Sequence, residues 1–237
     1  MSSGIYIATA GAVAQSQALD TTANNIANAT TTGFHSDRVL FREALSKAKS
    51  ADLTLVGSGT SRVDSQAGAL MQTENPLDVA LEGDGYFGVQ TPTGTKYTRA
   101  GNFHLDEARQ LVTSEGLQVR GEGGAAITIP GEAKQIAIAA DGTVSADGEE
   151  LGKLELVRFK SSQLKRQGGT LFAATGKPEE GEAPRVRSGM LESSNVNVVR
   201  GVVDLVKVSR TYESLMRVIQ GYHDVESRAA RELGGPK

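Results

Sequence analysis

The sequence predicts an α+β protein in which helices at the two ends pair as a coiled-coil-like layer and a central, mostly antiparallel β domain lies between them. Three observations predict it. Residues 3–29 lack proline and repeat small or apolar side chains at steps of seven. The C-terminal stretch carries a stronger apolar heptad stripe. The middle is dense in turn residues, with 18 of the 28 glycines and five of the six prolines falling between 76 and 189.

The N-terminal helical segment, 1–34, opens with Ser3 as a possible N-cap. Ile5, Ala12, Leu19 and Ile26 occupy one heptad position, while the companions Ala8, Gln15, Thr22 and Ala29 are small or polar. Such a seam permits close approach of a second helix but buries little apolar area. At 1.5 Å per residue this helix would be about 40 Å long, and helices need tertiary packing to persist in water. The expected partner is the C-terminal segment, 195–237, or helices of other subunits. Gly33, after three β-branched threonines, is expected to close the helix in the left-handed conformation. Residues 35–75 are polar and broken by Gly57-Ser58-Gly59, as an extended connector would be.

Residues 76–194 read as the β domain. Ile136 and Ile138 alternate with small residues, and Leu154 and Leu156 flank Glu155, as half-buried strands do. Asp141-Gly142 and Asp147-Gly148 suit tight hairpin turns. In the C-terminal segment Val198, Leu205, Tyr212 and Ile219 share one heptad position; Gly201, Val208, Leu215 and Tyr222 share the position three further on. Glu213 with Arg217 and Asp224 with Arg228 add outer i,i+4 pairs with the acid first. Gly234, Gly235 and Pro236 then end the helical pattern. The apolar series Ile5, Ala12, Leu19, Ile26, Val198, Leu205, Val208, Tyr212, Leu215, Ile219 and Tyr222 form the expected assembly interface. Pattern alone leaves open whether these helices pack on other subunits or cover the protein's own sheet.

Composition excludes several chemistries. A net charge of -3 and no long basic run argue against a nucleic-acid partner. Cysteine is absent, which removes thiolate nucleophiles and cysteine zinc sites. No apolar run reaches the roughly 20 residues of a membrane span, and the first basic residue is Arg38, so no ordinary signal peptide is expected. Gly83, Gly85 and Gly88 spell GxGxxG, but Pro92 and further turn residues follow where a dinucleotide fold needs a helix. His35, His104 and His223 lie in three different elements with no ligand spacing. Neither a nucleophile elbow nor a phosphate-binding loop is present. The expectation is a protein that is not an enzyme, with no catalytic residue, no metal, no cofactor and no small-molecule substrate.

The stretch ANNIANATTTGF (Ala23–Phe34), with Asn24, Asn25, Ala27, Asn28, Gly33 and Phe34, resembles the N-terminal signature of flagellar rod, hook and hook-associated proteins. The run from Asn75 to Gly116 is similar to the β-domain signature of the rod and hook subset, and LESSNVNVV (Leu191–Val199) resembles that family's entry into its C-terminal helix. The resemblance implies an inner layer of terminal helices and an outer β layer. It also implies export by the flagellar type III apparatus without removal of the N-terminus. The implied location is the basal-body rod, which crosses the periplasm and carries torque; the implied partners are other axial subunits, copies of itself and the export apparatus. Length and the modest β segment resemble the proximal-rod type. The alternatives are a distal-rod or hook-type subunit, or a binding module that shares only the terminal helices.

Overall fold

The computed structural model describes residues 3–45, 54–181 and 183–233. The elements in chain order begin with helix α1 (Ser3–Ala27), β1 (Asp37–Leu45), β2 (Thr54–Val63), β3 (Leu70–Gln72), β4 (Val79–Glu82), β5 (Tyr86–Thr91) and β6 (Gly94–Thr98). They continue with β7 (Phe103–Leu105), β8 (Leu111–Thr113), β9 (Gln118–Val119), β10 (Ile136–Ile138), β11 (Thr143–Ala146), β12 (Glu149–Lys153) and β13 (Leu156–Val157). Last come β14 (Leu164–Gly168), β15 (Leu171–Ala174), β16 (Arg185–Ser188), β17 (Met190–Glu192) and helix α2 (Val198–Leu233). The layout is α+β. Two compact units result: 1–26, 37–62 and 197–237 form a helical unit, and 27–36 with 63–196 form a β unit.

In the helical unit, α1 is built from alanine, glycine and threonine and holds a single charged residue, Asp20. Thr9, Thr21 and Thr22 return their hydroxyls to the carbonyls of Ile5, Gln17 and Ala18, which removes a polar group from the helix surface. The 36-residue α2 starts at Asn197, whose side-chain oxygen accepts the Arg200 amide at 3.0 Å as an N-cap. Glu213 and Arg217 approach to 3.8 Å on its outer face. The stretch read as an extended connector, 35–75, holds β1 and β2, which pair with each other, and β3.

In the β unit every strand pair with a defined register is antiparallel. The largest sheet runs β14-β15-β6-β5-β9-β8-β7, with β13 also paired to β5. Strand β5 is therefore central, and all but one of its residues are buried. One core gathers Phe87, Phe103, Leu111, Val119, Val144 and Leu154; a second gathers Val63, Tyr86, Phe159, Leu164 and Phe172. Phe87 and Phe172 are fully buried, each contributing roughly 1.5–3 kcal/mol, and Phe87 meets Phe103 edge to face at 5.2 Å. The expected hairpins form. Asp147 and Gly148 take φ of 51° and 88° between β11 and β12, and Gly142 takes 91° between β10 and β11.

The GxGxxG run shapes the turn between β4 and β5, and Gly88 lies within β5 itself. Gly33 departs from its expected role. It is left-handed, with φ of 65°, but lies well beyond the last residue of α1, in a turn packed on the Arg99–Ala100 backbone. Asn28 and Thr31 carry the chain out of the helix through their own turn hydrogen bonds, so no glycine cap is needed.

Candidate functional site

The two helices run antiparallel and meet through their glycines. A Cβ placed on Gly4 would lie 3.0 Å from Cζ of Tyr222, one on Gly11 3.3 Å from Leu215, and one on Gly201 2.9 Å from Ile26. Gly4 and Gly11 are thus recesses for Tyr222 and Leu215, seven residues apart on both helices. Ala8, Ala12, Ala14 and Ala18 are buried as well. Leu19 lines a groove with Leu205, Val206, Ser209, Arg210 and Glu213.

Ala12 is buried, and Ile5, Leu19 and Ile26 are half-buried on α1. On α2, Leu205, Val208, Tyr212, Leu215, Ile219 and Tyr222 are half-buried, while Val198 is 46% exposed in the first turn. A second apolar stripe accompanies them. Val199, Val202, Val203 and Val206 are exposed at i, i+3, i+4 and i+7; Val218 and Val225 are exposed further along, on another side of the helix. A heptad count that follows one stripe passes over this one, although the spacing is legible in the sequence.

Among the motif residues, Asn25 donates its side-chain amide to the Asp37 carbonyl at 2.8 Å and accepts the Asp37 amide at 2.9 Å. It thereby fastens the last turn of α1 to the first residue of β1. Asn24 and Ala27 are exposed and Asn28 is half-buried. Phe34 is fully buried in the β unit, with the Arg166 guanidinium 4.4 Å from its ring centre and 4.9 Å from that of Phe172. Arg166 also donates to the His35 carbonyl.

Beside Phe34 lies a charged cluster that sequence spacing did not reveal. Glu192 is fully buried; its Oε1 lies 2.8 Å from Nε2 of His35 and accepts the Gly68 amide at 2.9 Å, and its Oε2 accepts from Arg99 at 3.0 Å. His35 Nδ1 lies 2.9 Å from the Asp64 carbonyl. Arg99 further donates to the Leu81 and Gly83 carbonyls and lies over the Tyr86 ring at 5.4 Å. Burial pushes the Glu192 carboxyl up, but the His35 hydrogen bond, the Arg99 charge and the Gly68 amide outweigh it. The group stays below the usual carboxylate range and is ionised at neutral pH. His104 and His223 are exposed, and among the described residues no group of metal-ligating side chains assembles.

The exposed apolar stripe on α2 is the mark of an interaction-bearing protein. The similarities to known proteins are specific. Residues 5–35 match the flagella basal body rod protein family, 80–146 the flagellar hook protein FlgE/F/G D1 domain, and 187–232 the flagellar basal body rod FlgEFG protein C-terminal family. The chain is 32% identical to flagellar basal-body rod protein FlgF of Rhizobium meliloti, covering 100% of both chains. It is 36% identical to FlgF of Escherichia coli over 98% of this chain and 99% of the relative. Its identity to flagellar basal-body rod protein FlgG of Bacillus subtilis is 34%, over 85% and 88%. The chain belongs to the flagellar basal-body rod protein family. It is a structural subunit of the motility apparatus and not an enzyme. Among the described residues, no helix is long and apolar enough to cross a membrane.

Proposed function

We propose that this protein is a proximal-rod subunit that joins other axial subunits and copies of itself through α1 and α2, after export by the flagellar type III apparatus. As such it forms part of the torque-carrying axis that crosses the periplasm. The observation that carries the assembly reading is the valine stripe of α2: Val199 alone is 77% exposed, and a lone chain leaves the whole stripe in water. Covering that stripe at about 25 cal/mol per Å2 would drive association. The proximal assignment is supported by relatives named FlgF that align over nearly the whole of both chains, as those of Rhizobium meliloti and Escherichia coli do.

The test is a double substitution on the stripe, Val199→Asp with Val203→Asp, in cells lacking the native gene. Both side chains are exposed in the lone chain, so the charges leave the monomer intact and fall on the surface that assembly would cover. The expected outcome is lost swimming and no intact rod, with the secreted variant retaining β-unit circular dichroism. Normal swimming would overturn the reading. The distal-rod or hook-type alternative is favoured by the FlgG relative of Bacillus subtilis. Localising the tagged chain along isolated basal bodies separates the two.

A further inference from the structure

Three stretches of the β unit meet at Glu192, and each is tied to another by backbone hydrogen bonds. The Gly33 amide donates to the Glu192 carbonyl at 2.7 Å, Asp64 to the Ser36 carbonyl at 2.8 Å, and Ser193 to the Ala69 carbonyl at 2.9 Å. Asn195 adds three links: it accepts the Ser36 amide and donates to the Gln66 carbonyl, both at 2.7 Å, and its own amide donates to the Phe34 carbonyl at 3.2 Å. The stretches 31–36, 64–69 and 192–195 therefore form one sheaf. They are short, irregular and polar along the backbone, with Phe34 as the one large apolar anchor. Besides the packing of Phe34, charge joins them to the sheet: Arg99, from the β6–β7 connection, grips one Glu192 oxygen, while His35 and the Gly68 amide bind the other.

We propose that Arg99, Glu192 and His35 form an acid-released clasp. While Glu192 is ionised the three stretches are held closed as one sheaf, and loss of its charge opens all three together while the sheet beneath them stays folded. The proposal stands apart from the rod assignment, because it concerns a single chain.

Consider the charges around the carboxylate. Arg99 and His35 face it directly. Tyr86 of β5 lies beneath the Arg99 guanidinium, and Arg166 of β14 stacks on Phe34 and binds the His35 carbonyl. Asp64 presents its backbone carbonyl to His35 Nδ1, and Asp84 lies close enough to act on the Tyr86 hydroxyl. The two His35 ring nitrogens lie within hydrogen-bond distance of the Asp64 carbonyl and the Glu192 carboxylate. Neutral Glu192 would leave the guanidinium, 2% exposed, without its counter-charge. A buried ion without a partner is driven toward water, and the sheaf is tied to this one through Glu192. The sign follows from the direction of the shift. The carboxyl is held below its ordinary range, so the clasp's contribution is full above that range and is lost as pH falls through the depressed value.

Amide exchange on the full chain tests this. Glu192→Gln at pH 7 should lower protection at Gly33, Asp64, Gly68 and Ser193 together, by about tenfold or more, leaving Phe87 and Val89 in central β5 unchanged. Equal loss at β5 would reduce Glu192 to an ordinary core residue and overturn the proposal. Unchanged protection at the four amides, or unrelated changes among them, would overturn it as well. Should Glu192→Gln fail to fold, the native chain supplies the test. On acidification, after correction for intrinsic exchange, the four amides should open together before β5 does. Simultaneous loss with β5, or persistence of all four until the chain unfolds, would sink the clasp. Swimming assays do not enter, so failure here is distinct from failure of the rod reading.

Discussion

Gly33 has φ of 65° and a backbone so close to Arg99 and Ala100 that a Cβ there would overlap their main-chain atoms. Left-handed geometry alone disfavours an L side chain by roughly 1–2 kcal/mol, least for asparagine. The overlap adds a cost that asparagine and alanine share with valine. Gly33→Ala, Gly33→Asn and Gly33→Val are therefore each expected to lose about 2 kcal/mol or more in urea unfolding of the β unit. If asparagine restored near-native stability, φ alone would be the constraint and the contact with Ala100 immaterial. Glycine in this motif is legible in the sequence as a turn residue. The close approach is not, because the backbone it meets lies more than sixty residues further along the chain.

Among the elements, the helices and hairpins were the most legible. The lack of proline and the heptad repeats marked α1 and α2, and two Asp-Gly dipeptides marked the turns around β11. Gly148 offers a clean check on the second turn. Its φ is 88° and nothing lies within 4 Å of where a Cβ would stand, so Gly148→Ala should cost about 1 kcal/mol through backbone strain alone. A neutral result in thermal unfolding would mean that this turn relaxes to another form. Strands β1 and β2 were hidden because their stretch is polar and lacks a strict alternation. The second α2 stripe was hidden by a different cause: valines on two sides of the early turns carry two overlapping periodicities, and the heptad count follows only one.

For the molecule as a whole, stability is unevenly distributed. The β unit holds both aromatic-containing cores, whereas the contact of α1 with α2 is made largely of alanine, glycine and single larger side chains. Limited proteolysis of dilute, verified monomer should cut first in the helical unit and leave a β-rich fragment containing residues 63–196. Equal resistance of both units would mean that the helical pair is held far more strongly than its buried surface allows. The charged cluster illustrates what a single sequence conceals. His35 and Glu192 are separated by 157 residues and Arg99 from Glu192 by 93, so no local pattern links them. His35 has no ligand spacing in the sequence, and only three-dimensional proximity reveals its partners.

The glycine recesses of α1 also act as a ruler. Tyr222 and Leu215 are pegs seven residues apart, and Gly4 and Gly11 are notches at the same spacing. A slip of one heptad, about 10 Å along the axis, would either bring Tyr222 to Gly11 and Leu215 against the methyl of Ala18, or bring Leu215 to Gly4 and leave Tyr222 without a notch. Smaller slips would seat neither. A helix with one charged residue and few large knobs thus still has a preferred longitudinal position, set in part by two absent side chains.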